Sequence, residues 1–214
     1  TPELAAAMRA FQADRNVIGF GQLGTQTMAQ LNRPVGEIVA MLEQDVARWR
    51  ERGINPRGTY LLVSIPFFEL VAMEDDREAL RMPVVVGQRT WETPLFSDEL
   101  EYLIVNPDWS IPPKIAKLEY LPKARYDRNF FRWQGISESG GTLRQKPGPR
   151  NPLGRLKFVM PNRDNVYLHD TPARRLFTDP ERAASHGCVR LERPLDLAVA
   201  LLEGDDRWDR EALA

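Results

Sequence analysis

TYLLVSIPFFELVAMEDDREALRMPVVVG, residues 59–87, decides the fold. Runs rich in β-branched and aromatic residues at Tyr60–Ile65, Phe68–Met73 and Ala79–Gly87 are separated only by Pro66 and by the turn signal Asp75-Asp76. Strands that follow one another through such short turns build an antiparallel or mixed sheet, not a doubly wound parallel one. Working outward, strands are predicted at Glu101–Asn106, Arg155–Met160 and Val166–His169, with a short β-prone stretch at Val189–Leu191. Ahead of the sheet, residues 3–14 read as a helix, and a second runs from an N-cap at Thr25 to Leu31-Asn32. A third covers 35–52 and stops at Gly53; its Ile38, Met41, Leu42, Val46 and Trp49 read as a core-facing stripe. Pro194 opens a closing helix that ends at Leu202. Residues 107–150, rich in Pro and aromatics, show no clear period and read as an irregular functional loop or lid. The expected class is mainly β (α+β), with few helices in the sheet domain and a small helical segment before it.

Composition excludes some functions. The chain carries 29 Lys plus Arg against 30 Asp plus Glu, interspersed, so no global field favours a nucleic-acid partner. No apolar run reaches the roughly 18 residues of a membrane span. The opening Thr1-Pro2, without Met, leads us to expect a processed or trimmed fragment from which an export signal has been removed. The single Cys excludes an internal disulfide.

That Cys and the only 2 His fall together, in Tyr167-Leu168-His169-Asp170 and Ser185-His186-Gly187-Cys188-Val189-Arg190. A thiol and an imidazole are what cysteine acyl transfer needs: the thiolate attacks, and the imidazole takes the proton or forms an ion pair with it. His169 ends a predicted strand, and the loop through Ala173–Phe177 can return it to Cys188. In an extended stretch, His186, Cys188 and Arg190 share a face. His186 would then tune the thiol, and Arg190 would hold the loop or a substrate carboxylate. The amides of Gly187 and Cys188 are candidates for an oxyanion hole. Three other readings stay open on residue types alone: Cys188 as a small buried hydrophobe, the imidazoles as structural groups, or zinc held by both His, Cys188 and Asp170.

The string His169 … Ser185-His186-Gly187-Cys188-Val189-Arg190 closely resembles the signature of the L,D-transpeptidases, whose catalytic module is the YkuD domain. Val84–Gly87, Thr93–Ser97, Asn106–Trp109, Arg144–Pro149, Asn151–Gly154 and Tyr167–Pro172 resemble the larger periplasmic members of Gram-negative bacteria. Ala10-Phe11-Gln12 and Leu23–Thr27 with Leu31-Asn32 are similar to the second half of a peptidoglycan-binding module. The resemblance implies a partial wall-binding module at 1–34, a linking helix at 35–56, a catalytic domain at 57–205 and a tail at 206–214. It implies that Cys188 attacks the L-centre carbonyl of a diamino-acid residue in a tetrapeptide stem and releases D-Ala. The side-chain amine of a second stem then resolves the thioester as a 3→3 crosslink. Hydrolysis on the same scaffold, by a carboxypeptidase or an enzyme cutting peptidoglycan or lipoprotein crosslinks, is the alternative; a non-catalytic zinc-containing wall protein is a third. The resemblance implies His169 as base with the Asp170 carbonyl orienting it, His186 and Gly187 at the oxyanion region, and Tyr167, Ser185 and Arg190 in support. No cofactor or resident metal is implied. Stem peptides are the expected partners, cell-wall synthesis enzymes are possible ones, and the periplasm is the expected compartment. In relatives a capping subdomain follows the Pro-Pro segment. Here that stretch is compact, within about 112–147, with Phe130, Phe131 and Trp133 as its candidate substrate-facing residues.

Overall fold

The computed structural model describes residues 1–214 except 16, 18, 52–57, 206 and 214. The chain divides into two compact units, Thr1–Leu62 with Met73–Glu78, and Val63–Ala72 with Ala79–Ala214.

In the first unit, α1 (Pro2–Asp14) starts on Thr1, whose hydroxyl accepts from the Leu4 amide, with Pro2 at the position where a missing N–H costs nothing. α2 (Thr25–Leu31) is held to α1 by Gln12, only 1% exposed. The Gln12 Nε2 donates to Gln22 O at 2.7 Å and Thr27 Oγ1 at 2.9 Å, and its Oε1 accepts from the Gly21 amide at 2.9 Å. Gly24, not Thr25, caps α2, and it has no side chain to satisfy the first turn. α3 (Val35–Glu51) buries none of its residues. The expected core stripe is therefore a surface in this chain: Met41, Leu42, Val46 and Trp49 are exposed, since no described element covers them. The Gly53 stop lies outside the described residues.

The strands β1 (Tyr60–Ser64), β2 (Glu69–Glu74), β3 (Arg77–Gly87) and β4 (Tyr102–Val105) fall close to the expected ranges. The stretch expected to be irregular is ordered instead. It holds β5 (Trp109–Ser110), α4 (Pro113–Ile115), a π-wound turn (Ala116–Tyr120), α5 (Leu121–Tyr126), α6 (Phe130–Gln134), and the hairpin β6 (Ile136–Ser139) with β7 (Thr142–Gln145). The π turn has a cause: Pro122 has no amide to offer the preceding turn, and the Leu121 amide reaches back to Ala116 O. Short segments of mixed type hide such order from periodicity. β8 (Leu156–Val159), β9 (Leu168–His169), a 3₁₀ turn (Arg174–Thr178), β10 (Ala183–Ser185), β11 (Val189–Leu191), α7 (Pro194–Leu201) and α8 (Arg210–Leu213) complete the chain.

The class is α+β and mainly β, as expected. One sheet runs β1-β2-β3-β11-β9-β8-β4, with β10 also on β3; a smaller one runs β5-β7-β6. β9 and β11 are parallel, while β8–β9, β4–β8 and β3–β11 are antiparallel. The pleat sorts residues between faces. Phe158, Leu168 and Val189 form one rung across β8, β9 and β11, at most 3% exposed, in the core. The next rung, Lys157, His169 and Arg190, projects from the other face. A second cluster contains Trp109, Ile111, Ile115, Ile136, Leu143 and Leu153, and Trp91, Tyr120, Phe131 and Tyr167 pack against it.

Candidate active site

The parallel pairing of β9 with β11 builds the site. Register sets Val189 against Leu168 and Arg190 against His169, and the Val189 amide donates to Tyr167 O at 3.1 Å. One step earlier, Cys188 therefore lies beside Tyr167. Alternation puts Tyr167, His169, Cys188 and Arg190 on one face. The Tyr167 hydroxyl is within hydrogen-bond reach of the thiol and accepts from the Trp109 indole. The thiol also reaches Asn165 O at 3.8 Å, where Asn165 takes φ 53°.

His169 is buried, and its Nδ1 lies 2.5 Å from Asp170 O. A carbonyl only accepts, so Nδ1 carries the proton and Nε2 keeps its lone pair. Burial, then the Arg190 charge, hold the imidazole pKa down to about 3. Burial also raises the Cys188 thiol, against the opposing pull of Tyr167, Lys157 and Arg190. Both shifts favour the uncharged forms, a thiol on Cys188 and an unprotonated imidazole on His169. Of the two expected states, a neutral thiol whose proton the imidazole takes and a thiolate–imidazolium pair, they favour the first.

Asp170 is buried by its bonds. One carboxylate oxygen accepts from the Arg155 amide at 2.8 Å and the other from Arg174 at 2.6 Å. Gly154, at φ 61°, gives it room, because a Cβ there would stand 2.2 Å from the carboxylate.

The turn before Cys188 is closed by Ser185. Its hydroxyl donates to Cys188 O at 2.5 Å and accepts the Gly187 amide at 3.1 Å. The Gly187 N–H is therefore committed, which corrects its assignment as an oxyanion donor. Gly187 instead contributes a φ of 107° that an L side chain rarely adopts, and a carbonyl that accepts from Thr93 at 2.8 Å.

His186 does not turn toward the thiol. Its Nε2 meets Glu119 Oε1 at 2.6 Å, and its ring packs edge-on against Trp91 at 4.9 Å between centroids. Lys114 sits 3.8 Å over the Trp91 ring. Among the described residues no group of three His, Cys, Asp or Glu gathers in metal-binding geometry, so the imidazoles, Cys188 and Asp170 do not converge as zinc ligands. Of the capping residues, Phe131 packs on the second cluster, Phe130 tilts against Tyr120, and Trp133 is exposed. No described contact links these three to Cys188.

Sequence reasoning missed Lys157, Trp91, Thr93, Asn165 and Glu119. Lys157 is the third member of the His169 rung, and its ammonium lies 3.9 Å over the Tyr167 ring. Period-2 spacing exposes it only once the pairing register is known.

A thiol, an imidazole and a turn that presents the sulfur are the parts of an acyl-transfer enzyme. Residues 58–208 match the L,D-transpeptidase catalytic domain, YkuD, and the chain belongs to that family. A Haemophilus influenzae protein provisionally named an L,D-transpeptidase is 32% identical over 163 residues, covering 67% of this chain and 33% of that one; the chain spans about a third of that relative. Among solved structures, L,D-transpeptidase 3 from Mycobacterium tuberculosis with a faropenem-derived adduct is 15% identical at TM-score 0.39, covering 63% of this chain and 51% of that one. An L,D-transpeptidase from Xylanimonas cellulosilytica is 17% identical at TM-score 0.32, covering 93% and 72%.

Proposed function

We propose that the chain is a cysteine L,D-transpeptidase that forms 3→3 crosslinks between peptidoglycan stems. The observation that carries this reading is the β9–β11 register, which seats Cys188 beside Tyr167 and Arg190 beside His169. His169 Nε2 takes the thiol proton as sulfur adds to the L-centre carbonyl of the donor diamino acid. Because both groups start neutral, transfer accompanies attack rather than preceding it. The tetrahedral oxygen gathers negative charge near Arg190, with the Cys188 amide as the remaining backbone donor. On collapse, His169 returns the proton to the departing D-Ala nitrogen, leaving a thioester on Cys188. The acceptor's side-chain amine then adds, giving its proton to Nε2; the C–S bond breaks, and the proton returns to sulfur.

Tyr167, pinned by Trp109, holds the sulfur's direction; Ser185 and Gly187 hold the turn; Asp170 holds the imidazole. Capping by Phe130, Phe131 and Trp133, wall contact by residues 1–34, a periplasmic setting and cell-wall synthesis partners belong to the same proposal. They rest on the family and on the resemblances noted above.

Incubation with purified tetrapeptide muropeptide tests the reaction. Crosslinked dimer with released D-Ala is expected. Tripeptide alone, with no dimer, indicates that water rather than amine resolves the thioester, and assigns a carboxypeptidase.

A further inference from the structure

Three groups of one rung lie on the same face of the sheet: Lys157, His169 and Arg190. The two cations flank the imidazole. Neither has a carboxylate within salt-bridge distance among the described residues. The acids that act on them at longer range are engaged elsewhere: Asp108 binds Arg144 at 2.8 Å, and Glu119 binds His186 at 2.6 Å. Arg190 also keeps a buried Nε without a hydrogen-bond partner.

Lys157 differs from Arg190 in what it borders. It lines an open cleft of about 750 Å³ whose wall also includes Tyr167 and Asn165, both in reach of the thiol. The other charged groups of that cleft, Asp98, Arg163 and Asp164, are exposed, so water screens them. Lys157 is half-buried, and the Tyr167 ring face beneath its ammonium fixes its aim. Burial lowers its pKa, as befits an ammonium with no anion beside it. A desolvated, pre-aimed cation at the mouth of a cleft is a receptor for an anion.

We propose that Lys157 is a specificity-determining residue that binds a carboxylate of the donor stem in the cleft beside Cys188. This rests on the transpeptidase reading, in which the donor offers two such groups: the terminal carboxylate of the departing D-Ala and the D-centre carboxylate of the diamino acid. Lys157 also pulls on the thiol, so the test must separate substrate recognition from thiol tuning.

Three synthetic tetrapeptide donors do this: one with both carboxylates free, one with the C-terminus as carboxamide, and one with the diamino-acid carboxylate as carboxamide. Wild type is expected to lose about tenfold in kcat/KM on one of the amides, mainly through KM, and the amide affected identifies the group bound. Lys157→Met should fall to that level on the free acid and show no preference among the three; Lys157→Arg should restore the preference. Equal use of all three by wild type, or a uniform loss in Lys157→Met that keeps the wild-type preference, overturns the assignment and leaves Lys157 acting on the thiol alone. No turnover of any donor by wild type refutes the transpeptidase reading itself, and the assignment with it.

Discussion

Arg190 lies directly across from His169 in the parallel β9–β11 pair, and Lys157 lies across from it on the other side in β8. The candidate base therefore sits between two positive charges inside the protein. Burial first, and then the two cations of this rung, oppose an imidazolium.

A pH dependence of stability follows. The unfolded imidazole binds a proton near 6.5, the folded one only at about 3. Between those values the unfolded chain holds more protons, so stability falls as pH drops. The contribution is fully present above about 6.5 and is lost progressively toward about 3, on the order of a few kcal/mol in total. Urea unfolding of wild type and His169→Gln across this range should show a steeper acid loss in wild type. Parallel curves would contradict a neutral buried His169.

Ser185 joins two ends of the catalytic turn, accepting from Gly187 and donating to Cys188. Ser185→Ala leaves the Gly187 amide without its partner and should cost about 1–3 kcal/mol in stability. It should also lower kcat more than it raises KM, because the turn aims the sulfur. Thermal unfolding and steady-state kinetics measure both.

Gly154 meets Asp170 so closely that a methyl cannot fit. Gly154→Ala adds left-handed backbone strain and displaces the carboxylate from Arg155 and Arg174, with an expected loss of at least about 2 kcal/mol. A variant as stable as wild type would contradict this packing.

Glu119 ties the π-wound turn to His186. In Glu119→Ala, amides of residues 116–126 should exchange with deuterium faster than in wild type, while those of β8 and β11 remain protected. Unchanged exchange at 116–126 would show that the pair does not hold this segment.

Much of this was legible in the chain. Turn signals and β-branched runs gave β1 to β3 because strand pairing there is local, β4 showed in its own apolar run although its partner β8 is distant, and the scarcity of Cys and His confined the chemistry to one window. What was hidden depends on register. Lys157 and Arg190 flank His169 only because β8, β9 and β11 pair as they do, and no spacing in one strand states its partner. His186 was expected at the thiol, but the positive φ of Gly187 breaks the alternation that would have put it there. Glu119 lay in a stretch that seemed irregular, since Pro122 interrupts the helical period. The α3 stripe shows the converse: an apolar pattern states a preference for burial, not the presence of something to bury against.

The most direct test of a Cys188 acyl-enzyme is intact mass after incubation with a carbapenem. Wild type should gain one drug-derived acyl group, mapped by peptide digestion to Cys188, and Cys188→Ala should gain none. No adduct on folded wild type, or an adduct that persists in Cys188→Ala, would contradict Cys188 as the nucleophile.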